Sequence, residues 1–308
     1  MILFLLFKIP IGLYWAKIFV LKKRKLEIVV ISDVHLGSKA CHADELLAYL
    51  SSVQPKRLIL NGDILDIEST TNYYFPPSHL KVIRKFLSMA SKGVEIYYLM
   101  GNHDETFRKY TKSSISNIKF CNKLFLNLDG KKAWFFHGDV FDMSLTKTKW
   151  IAKLGGLGYR FLKLLNRSEY WIRKKLGKPS LSLSEYLKSS PEKRKAYENQ
   201  FIDTVVDLAI DNNVTYVICG HLHKPKKEVV ETQRGDCVYL NSGDWVDNLT
   251  ALEYSFKRWK VYRYSNDKLL PFFMDEELKA MDMNELVATI TSKKSSKEST
   301  KDGENTGI

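Results

Sequence analysis

The sequence predicts an α/β fold built on a parallel β-sheet. Short runs rich in β-branched and aromatic residues alternate with helical patterns over the first hundred residues. This alternation is typical of parallel strands joined by right-handed helical crossovers. The chain has 308 residues, of which 44% are hydrophobic, enough to bury one substantial core. We therefore expect one main domain with attached elements rather than two independent domains.

The elements follow from the hydrophobic pattern in chain order. A βαβαβ unit is expected first, with strands at 28–31, 57–60 and 94–99 and helices at 43–52 and 80–92. A hairpin is expected next, because strand patterns at 124–128 and 133–136 flank the turn sequence Asp129-Gly130-Lys131-Lys132. A strand at 214–218 follows, and the patterns around 238–241, 251–256 and 260–264 are expected to supply strands for a second sheet.

Polar motifs follow five of these strands, and they contain five of the seven histidines. Ligands of open α/β sheets bind beyond the carboxyl ends of the strands, so motifs far apart in sequence are expected to meet at one place. The motifs are Asp33-Val34-His35, Gly62-Asp63-Ile64-Leu65-Asp66, Gly101-Asn102-His103-Asp104, His137-Gly138-Asp139 and Gly220-His221-Leu222-His223.

The residue types in these motifs indicate a metal site. Carboxylate, amide and imidazole groups suit manganese, iron or zinc, and the lack of thiolates argues against a closed structural zinc site. A single Asp-x-His or Gly-Asp after a strand is also ordinary turn chemistry. Suitable ligands at five strand ends, in a chain poor in histidine, favour the metal site over that alternative.

Together the five motifs resemble the ordered signature of the calcineurin-like metallophosphoesterases, over about residues 26–265. The resemblance implies a two-layer β sandwich flanked by helices, with two divalent metal ions at one edge. Manganese is the expected metal, with iron and zinc as alternatives. The resemblance implies that one ion is held by Asp33, His35, Asp63 and His223 and the other by Asp63, Asn102, His137 and His221, so that Asp63 bridges.

The same resemblance assigns roles around the ions. Two cations about 3.5–4 Å apart share a water, lower its pKa and clamp the phosphoryl oxygens for in-line attack. His103 is expected to face the substrate, stabilising developing charge or protonating the leaving oxygen, with Asp104 orienting its ring. Asp66 and Asp139 are expected to support loops or ligand imidazoles, with turn capping as the alternative. The remaining histidines, His42 and His79, are expected at helix starts or on the surface.

A basic, aromatic insertion separates the fourth and fifth motifs. Residues 147–178 contain ten basic residues and one acid, Glu169, and we expect a helical cap over about 145–200. An apolar stripe beside a cationic stripe suits a ligand with acyl chains and phosphates, or a membrane surface. Packing of the stripe on the core, with a solvated basic edge, is the alternative. The candidate substrate-binding residues are Arg160, Arg173, Lys174 and Lys175.

The termini and the net charge point to an anionic partner. The net charge is +13. Residues 1–21 are apolar but contain Lys8 and Pro10, and Lys22-Lys23-Arg24-Lys25 follows. This pattern suits neither a spanning helix nor a signal peptide, so we expect 1–25 to lie on the inner membrane surface, with a core-packed helix as the alternative. The tail, 271–308, is expected to form a short helix and a disordered end.

The four cysteines show no Cys-x-x-Cys spacing, which favours reduced thiols in a cytoplasmic protein. The N-terminal segment predicts that this protein is peripheral at the inner face of the cell membrane. Within the family, the insertion most resembles the UDP-2,3-diacylglucosamine pyrophosphohydrolases of lipid A synthesis. Those enzymes typically carry Arg where this chain has His103, so a related nucleotide-lipid substrate is also consistent. A nuclease of the same superfamily is the alternative enzyme, because aromatic residues among lysines also suit nucleic acid. A scaffold without activity ranks last, since every expected ligand is present.

Overall fold

The computed structural model describes residues 23–66, 74–111, 113–141 and 190–267. Most of the predicted N-terminal segment, most of the predicted cap and the predicted tail lie outside the described residues. The candidate substrate-binding residues Arg160, Arg173, Lys174 and Lys175 lie outside them as well. Among the helices that are described, none is both long enough and apolar enough to cross a membrane.

The first sheet has seven strands: β1 (Arg24–Ile31), β2 (Val53–Asn61), β3 (Glu95–Leu99), β4 (Ser114–Ile115), β5 (Ile118–Cys121), β11 (Thr250–Ser255) and β12 (Arg258–Arg263). Their order is β12-β11-β1-β2-β3-β5-β4. Helix α1 (Ala43–Ser52) connects β1 to β2, and helix α2 (Pro77–Ser91) lies between β2 and β3. Strands β1, β2 and β3 are parallel, which confirms the predicted βαβαβ unit.

The second sheet has five strands: β6 (Leu124–Leu128), β7 (Lys131–Phe135), β8 (Tyr216–Cys219), β9 (Lys226–Thr232) and β10 (Gly235–Asn241). Their order is β6-β7-β8-β10-β9. The predicted hairpin is present, since β6 pairs antiparallel with β7 across Asp129 and Gly130, both of which have positive φ. Helix α3 (Pro191–Asp211) begins within the predicted cap range, after Pro191 takes the first helical position and Ser190 caps it.

Alternation along the strands divides the core into layers. Ile28 and Val30 of β1 belong to a cluster that includes Phe135 and Ile218 of the second sheet, so this cluster fills the space between the sheets. Val29 and Ile31 point the other way, into a cluster with residues of α1 and α2. A third cluster joins the outer face of the second sheet to α3 through Phe201, Val205 and Val206. The result is the predicted β sandwich flanked by helices.

The sequence expectation for the last two strands is corrected. Strands β11 and β12 belong to the first sheet rather than the second, because β11 pairs antiparallel with β1 and β12 with β11. Of the three late strands, β10 is the one that joins the second sheet. Strands β4, β5 and β9 were not predicted; each has exposed positions and none shows a continuous apolar run.

Candidate metal centre

The five predicted motifs begin where β1, β2, β3, β7 and β8 end. Because β1, β2 and β3 are parallel to one another, and β7 is parallel to β8, the motifs of each sheet emerge at the same end of that sheet. Contacts between the loops join the two groups: the backbone N–H of His221 donates to the carboxylate of Asp33 at 3.0 Å. The structure therefore brings the motifs together as the sequence predicts.

Several of these residues turn the chain sharply. Asp33, His35, Asp63, His221 and His223 have φ values of 52°, 53°, 53°, 65° and 55°. This left-handed region is uncommon for residues other than glycine, although aspartate and histidine enter it more readily than most. Non-glycine residues in such conformations cluster at functional sites, where the surroundings hold them in place. Five of the seven predicted ligands are thus among the eleven described non-glycine residues with positive φ.

Two motif glycines allow the ligand loops to approach one another. A Cβ atom added at Gly62, which has a φ of 88°, would overlap the ring of His137. A Cβ added at Gly101 would overlap the carboxylate of Asp63. Any side chain at either glycine would therefore push a predicted ligand out of position.

The predicted ligands form two compact groups. The outer cluster consists of Asp33, His35 and His223, and the inner cluster consists of Asp63, His137 and His221. Within each cluster one potential ligand atom from each residue lies within 4.8 Å of the others. The inner cluster is fully buried, whereas the His223 side chain of the outer cluster is 22% exposed. Each cluster could hold a metal ion.

Several buried polar atoms of the site make no well-formed hydrogen bond among the described residues, although Nε2 of His137 and Nε2 of His223 each lie 3.2 Å from an aspartate oxygen. They include Nε2 of His35, His137 and His223, Oδ2 of Asp63 and Oδ1 of Asn102. A buried polar atom without a partner is costly, and native proteins contain few of them. All five atoms belong to predicted ligands, so the donor set fits a bound metal. Asn102 lies beside the inner cluster, because the next residue, His103, donates its backbone N–H to Oδ1 of Asp63.

The ring of His137 is fixed by a backbone contact. Its Nδ1 lies 2.9 Å from the carbonyl oxygen of Asn61. A carbonyl can only accept, so Nδ1 carries the proton and donates it. Nε2 then faces Oδ2 of Asp63 at 3.2 Å, with its lone pair available in the neutral ring. The side chain of Asn61 in turn donates to the carbonyl of Phe136 at 3.0 Å, which holds this pair of strand ends together.

Charge pairing dominates the electrostatics of both clusters. Burial alone would raise the pKa of Asp33, but His223, with Nε2 at 3.2 Å, lowers it to about 2. Burial would lower the pKa of His223, and Asp33 instead raises it to about 9. In the inner cluster, His137 outweighs burial and lowers the pKa of Asp63, while Asp63 raises that of His137. The carboxyl groups of Asp33 and Asp63 are therefore both ionised, which is the form that binds a metal ion.

His103 contacts a different carboxylate from the one expected. Its Nδ1 lies 3.2 Å from Oδ1 of Asp66, and the other oxygen of Asp66 lies 3.8 Å from Nδ1 of His35. Burial would lower the pKa of His103, but the contact with Asp66 and the charge of Asp63 raise it overall. Asp66 therefore supports two imidazoles. His35, Asp66 and His103 also form a third group with ligand atoms within 4.8 Å of one another.

Asp104 joins loops instead of orienting His103. Its carboxylate accepts from the backbone N–H groups of Ile64 and Gly101, at 3.1 and 2.6 Å, and from the hydroxyl of Tyr98 at 2.8 Å. The expected contact to the His103 ring is made by Asp66, so the prediction for Asp104 is corrected. Burial, and then the charge of Asp63, raises the pKa of Asp104.

The other acidic and imidazole groups are structural. Asp139 accepts from Nη2 of Arg108 at 2.6 Å, which ties the fourth motif to the third. His42 is a half-exposed residue at the start of α1, as predicted. His79 lies in the first turn of α2 but is buried, so the surface alternative is wrong for it. Its Nδ1 accepts from the backbone N–H of Gly37 at 2.9 Å.

The sequence reasoning missed residues that support the ligands. Asn61 is the last residue of β2, and it lies between the predicted strand 57–60 and the motif that begins at Gly62, so neither prediction included it. Asp244 is fully buried, and its Oδ2 lies 3.8 Å from Nδ1 of His223. It belongs to Asn241-Ser242-Gly243-Asp244, a polar run that begins at the end of β10. Polar residues at a further strand end were the available signal, but the run contains no histidine.

A two-sheet sandwich with buried aspartate and histidine clusters at its strand ends indicates a metal-binding protein. The family model described as calcineurin-like phosphoesterase matches residues 26–225, and the chain belongs to this family. The protein is therefore a hydrolase of the phosphoesterase superfamily, a family that uses divalent metals.

The chain is similar, at low identity, to proteins named UDP-2,3-diacylglucosamine hydrolase. A UDP-2,3-diacylglucosamine hydrolase from Aliivibrio fischeri is 22% identical over 245 residues, which are 77% of this chain and 98% of that one. The protein of the same name from Blochmanniella pennsylvanica is 25% identical over 205 residues, 65% of this chain and 80% of its own. Among solved structures, an archaeal phosphodiesterase is 14% identical with a TM-score of 0.36, covering 77% of this chain and 98% of that chain.

Proposed function

We propose that this protein is a dinuclear-metal phosphohydrolase that cleaves the diphosphate of UDP-2,3-diacylglucosamine or of a related nucleotide-linked lipid. One observation carries the reaction class: two adjacent aspartate–histidine clusters lie at the strand ends, and several of their buried ligand atoms make no well-formed hydrogen bond among the described residues. The names of the relatives support the substrate class.

We assign one ion to Asp33, His35, Asp63 and His223, and the other to Asp63, Asn102, His137 and His221. Asp63 is proposed to bridge the two ions. It lies close enough to His137 of the inner cluster and His35 of the outer cluster for both histidines to lower the pKa of its carboxyl group. When bound, the ions supply an activated hydroxide and a clamp for the phosphoryl oxygens. Manganese is our proposal for the native metal, with iron and zinc as alternatives, since a mixed carboxylate, amide and imidazole donor set without thiolates suits all three.

His103 is proposed to act on the substrate. With Nδ1 occupied by Asp66, Nε2 is the ring nitrogen left for a phosphoryl or leaving oxygen. Its side chain is 27% exposed, so a substrate at the centre can reach it. Asp66 favours the protonated ring, which is the form that can donate a proton or stabilise developing negative charge. Asp104 would serve this chemistry indirectly, by holding the second and third motif loops.

The substrate is proposed to be anionic and lipid-linked. The net charge of +13 and the basic 147–178 segment favour a phosphate-bearing partner. Arg160, Arg173, Lys174 and Lys175 remain our candidates for binding it. The apolar residues 1–21 with the following basic run favour a peripheral position at the inner face of the cell membrane. A nuclease is the second candidate, favoured only by the aromatic residues among the lysines.

A substrate competition tests the proposal. The manganese-loaded protein is incubated separately with UDP-diacylglucosamine, a simple nucleotide phosphodiester and single-stranded DNA, and products are measured by mass spectrometry. We expect a lipid sugar phosphate and UMP from the first substrate at the highest kcat/KM. Product from DNA alone would overturn the lipid assignment and favour the nuclease. No product from any of the three would contradict the phosphohydrolase itself.

The role of His103 is tested by His103→Ala. We expect turnover to fall by about 100- to 10,000-fold while both ions are retained, because the residue acts on the substrate. Metal content is measured by mass spectrometry after dialysis, and His42→Ala is the matched control outside the site. Loss of an ion in His103→Ala would show that His103 is a ligand, as the third group with His35 and Asp66 would allow.

A further inference from the structure

The segment from the end of β10 to the start of β11 connects the two sheets. It runs from Asn241 to Thr250, and its first five residues are all buried. Because β10 belongs to the second sheet and β11 to the first, the segment must cross the edge where the ligand loops lie. We refer to residues 241–250 as the crossing loop. None of the five motifs includes it.

The crossing loop is bonded to the loop that carries Asp33. The backbone N–H of Trp245 donates to the carbonyl of Asp33 at 3.1 Å. The hydroxyl of Ser32 lies 2.6 Å from that of Ser242 and donates to the carbonyl of Gly243 at 3.0 Å. These contacts fix the backbone on both sides of the first ligand of the outer cluster.

The crossing loop is also bonded to the loop that carries His223. The side chain of Asn241 donates to the carbonyl of Gly220 at 2.8 Å. The side chain of Asn248 donates to the carbonyl of His223 itself, also at 2.8 Å. Asp33 and His223 come from different sheets, so the crossing loop is a shared support for two ligands of one cluster.

Asp244 uses its two carboxylate oxygens differently. Oδ1 accepts from the backbone N–H groups of Val246, Asp247 and Asn248, which is a common way to close a turn. Turn closure needs nothing further from this side chain. Oδ2, however, accepts from the side chain of Asn248 at 2.6 Å and lies 3.8 Å from Nδ1 of His223.

The orientation of the His223 ring indicates a role for Oδ2 of Asp244. Nε2 of His223 faces Asp33 at 3.2 Å, on the side where the metal would be bound, and Nδ1 faces Asp244. A ligand histidine commonly presents its second nitrogen to a carboxylate or carbonyl, which fixes the ring and increases its basicity. In the inner cluster the corresponding partner of His137 is the carbonyl of Asn61.

We infer that Asp244 is a positioning residue for the outer-cluster metal, acting through His223, and that Asn248 assists it by holding the backbone of His223. The inference rests on the two-metal centre proposed above. It predicts that the two ions are supported separately: Asp244 and Asn248 control the affinity for the outer ion through His223 and leave the affinity for the inner ion unchanged.

Asp244→Asn separates the two functions of the carboxylate. Asparagine retains an oxygen that can accept from the three backbone N–H groups, so the turn is kept. Its amide nitrogen replaces Oδ2 and presents a donor to two other donors, Nδ1 of His223 and the side chain of Asn248. We expect affinity for one of the two ions to fall by about 10- to 100-fold, with affinity for the other unchanged.

The measurement is manganese binding without substrate, followed by mass spectrometry after dialysis against graded chelator and by electron paramagnetic resonance. Wild type should show the coupled spectrum of two adjacent ions, and Asp244→Asn the uncoupled spectrum of one at the same free manganese. Raising free manganese should restore the coupled spectrum. Asp247→Asn removes the same charge from an exposed position on the same loop and should match wild type.

Two unchanged ions in Asp244→Asn, or loss of both together, would overturn the inference. If wild type itself binds fewer than two ions, the proposed dinuclear function fails instead, so the two failures are distinguishable. Asn248→Ala is the second variant, because it leaves the buried carboxylate in place and should still reproduce a weaker form of the same one-ion loss. Unchanged binding in Asn248→Ala when Asp244→Asn does not fold would also overturn the inference.

Discussion

The inner and outer clusters have the same composition but different surroundings. Each has one aspartate and two histidines. The inner cluster is wholly buried and its His137 is oriented by a backbone carbonyl. The outer cluster has a partly exposed histidine, His223, that faces a side-chain carboxylate from the crossing loop. The difference indicates that the outer ion would depend on one partly exposed ligand supported by the crossing loop, whereas every ligand of the inner cluster is buried.

This comparison predicts that the two metal ions differ in how readily they exchange with solvent. A fully buried ligand set reorganises with difficulty, since packed interiors resist local change. A ligand fixed by a side chain and a connecting loop can exchange its metal with less disturbance. We therefore expect the inner ion to be retained longer during dialysis.

The largest effect is expected from the carboxylate assigned to both ions. Asp63→Asn should remove both ions and lower turnover at least about 1,000-fold, near 4 kcal/mol, because metal stabilisation of the transition state is worth several kcal/mol. Asp33→Asn should remove only the outer ion. The two sites are well matched: both have left-handed φ and both accept a backbone N–H. Metal content and kcat of the two variants decide the comparison.

Equal metal loss in these two variants would contradict the bridging assignment. Asparagine tolerates the left-handed backbone and keeps an acceptor oxygen, so the fold should survive in both. Thermal unfolding of the metal-free variants checks this point.

A smaller effect is expected from replacing Arg108, which connects the third and fourth motif loops beside the inner cluster. Arg108 donates to Asp139 and to Glu105, and lies 3.4 Å from the carbonyl of Gly101. Its side chain is 25% exposed. Arg108→Met leaves two carboxylates without their cation, and we expect a loss of about 2–3 kcal/mol in the free energy of unfolding, below the fully buried range because of solvent screening.

Urea unfolding of the metal-free protein measures the effect of Arg108→Met, with Lys109→Met as the exposed control one residue along the chain. Unchanged stability would show that Arg108 does not tie the third and fourth motif loops together. A difference confined to the metal-loaded protein would assign it to the metal site instead.

The smallest effect is the dependence of metal binding on pH. In the metal-free protein Asp33 outweighs burial and raises the pKa of His223 to about 9, so the ring is protonated near neutral pH. Metal must displace that proton, and affinity of the outer cluster should therefore rise about tenfold per pH unit until the pH reaches this pKa. Above it the gain should cease.

Calorimetry in two buffers of different ionisation enthalpy counts the protons released. His223→Ala should release one proton fewer than wild type, and His42→Ala the same number as wild type. The same count in wild type and His223→Ala would show that this ring is neutral before the metal binds.

Much of the fold was predictable because local patterns determine it. The βαβαβ unit follows from apolar runs alternating with amphipathic ones, and Asp129-Gly130 supplies the positive φ values that a tight hairpin needs. The sheet to which β11 belongs was not predictable in this way. Its partner β1 is more than two hundred residues away, and hydrophobic pattern alone does not select among distant partners.

The candidate site was predicted as a group, but its supporting contacts were not. Asp104 follows His103 directly, which suggested a contact between their side chains. In the structure Asp104 turns toward Tyr98, and Asp66, from another loop, meets the His103 ring. Asp244 follows a strand like the motif residues, yet its partner His223 is distant in sequence. Contacts between loops depend on backbone paths that residue types do not specify.

The left-handed backbone at the five turning residues limits how this centre can change during evolution. Asparagine and glycine fit such positions, whereas a residue with a bulkier or branched Cβ adds a backbone penalty of about 1–2 kcal/mol to the loss of the ligand. Asparagine or glycine is therefore the replacement expected to cost the least stability at 33, 35, 63, 221 and 223 when a ligand is lost. Such replacements would mark a lineage in which the centre decays while the sandwich persists.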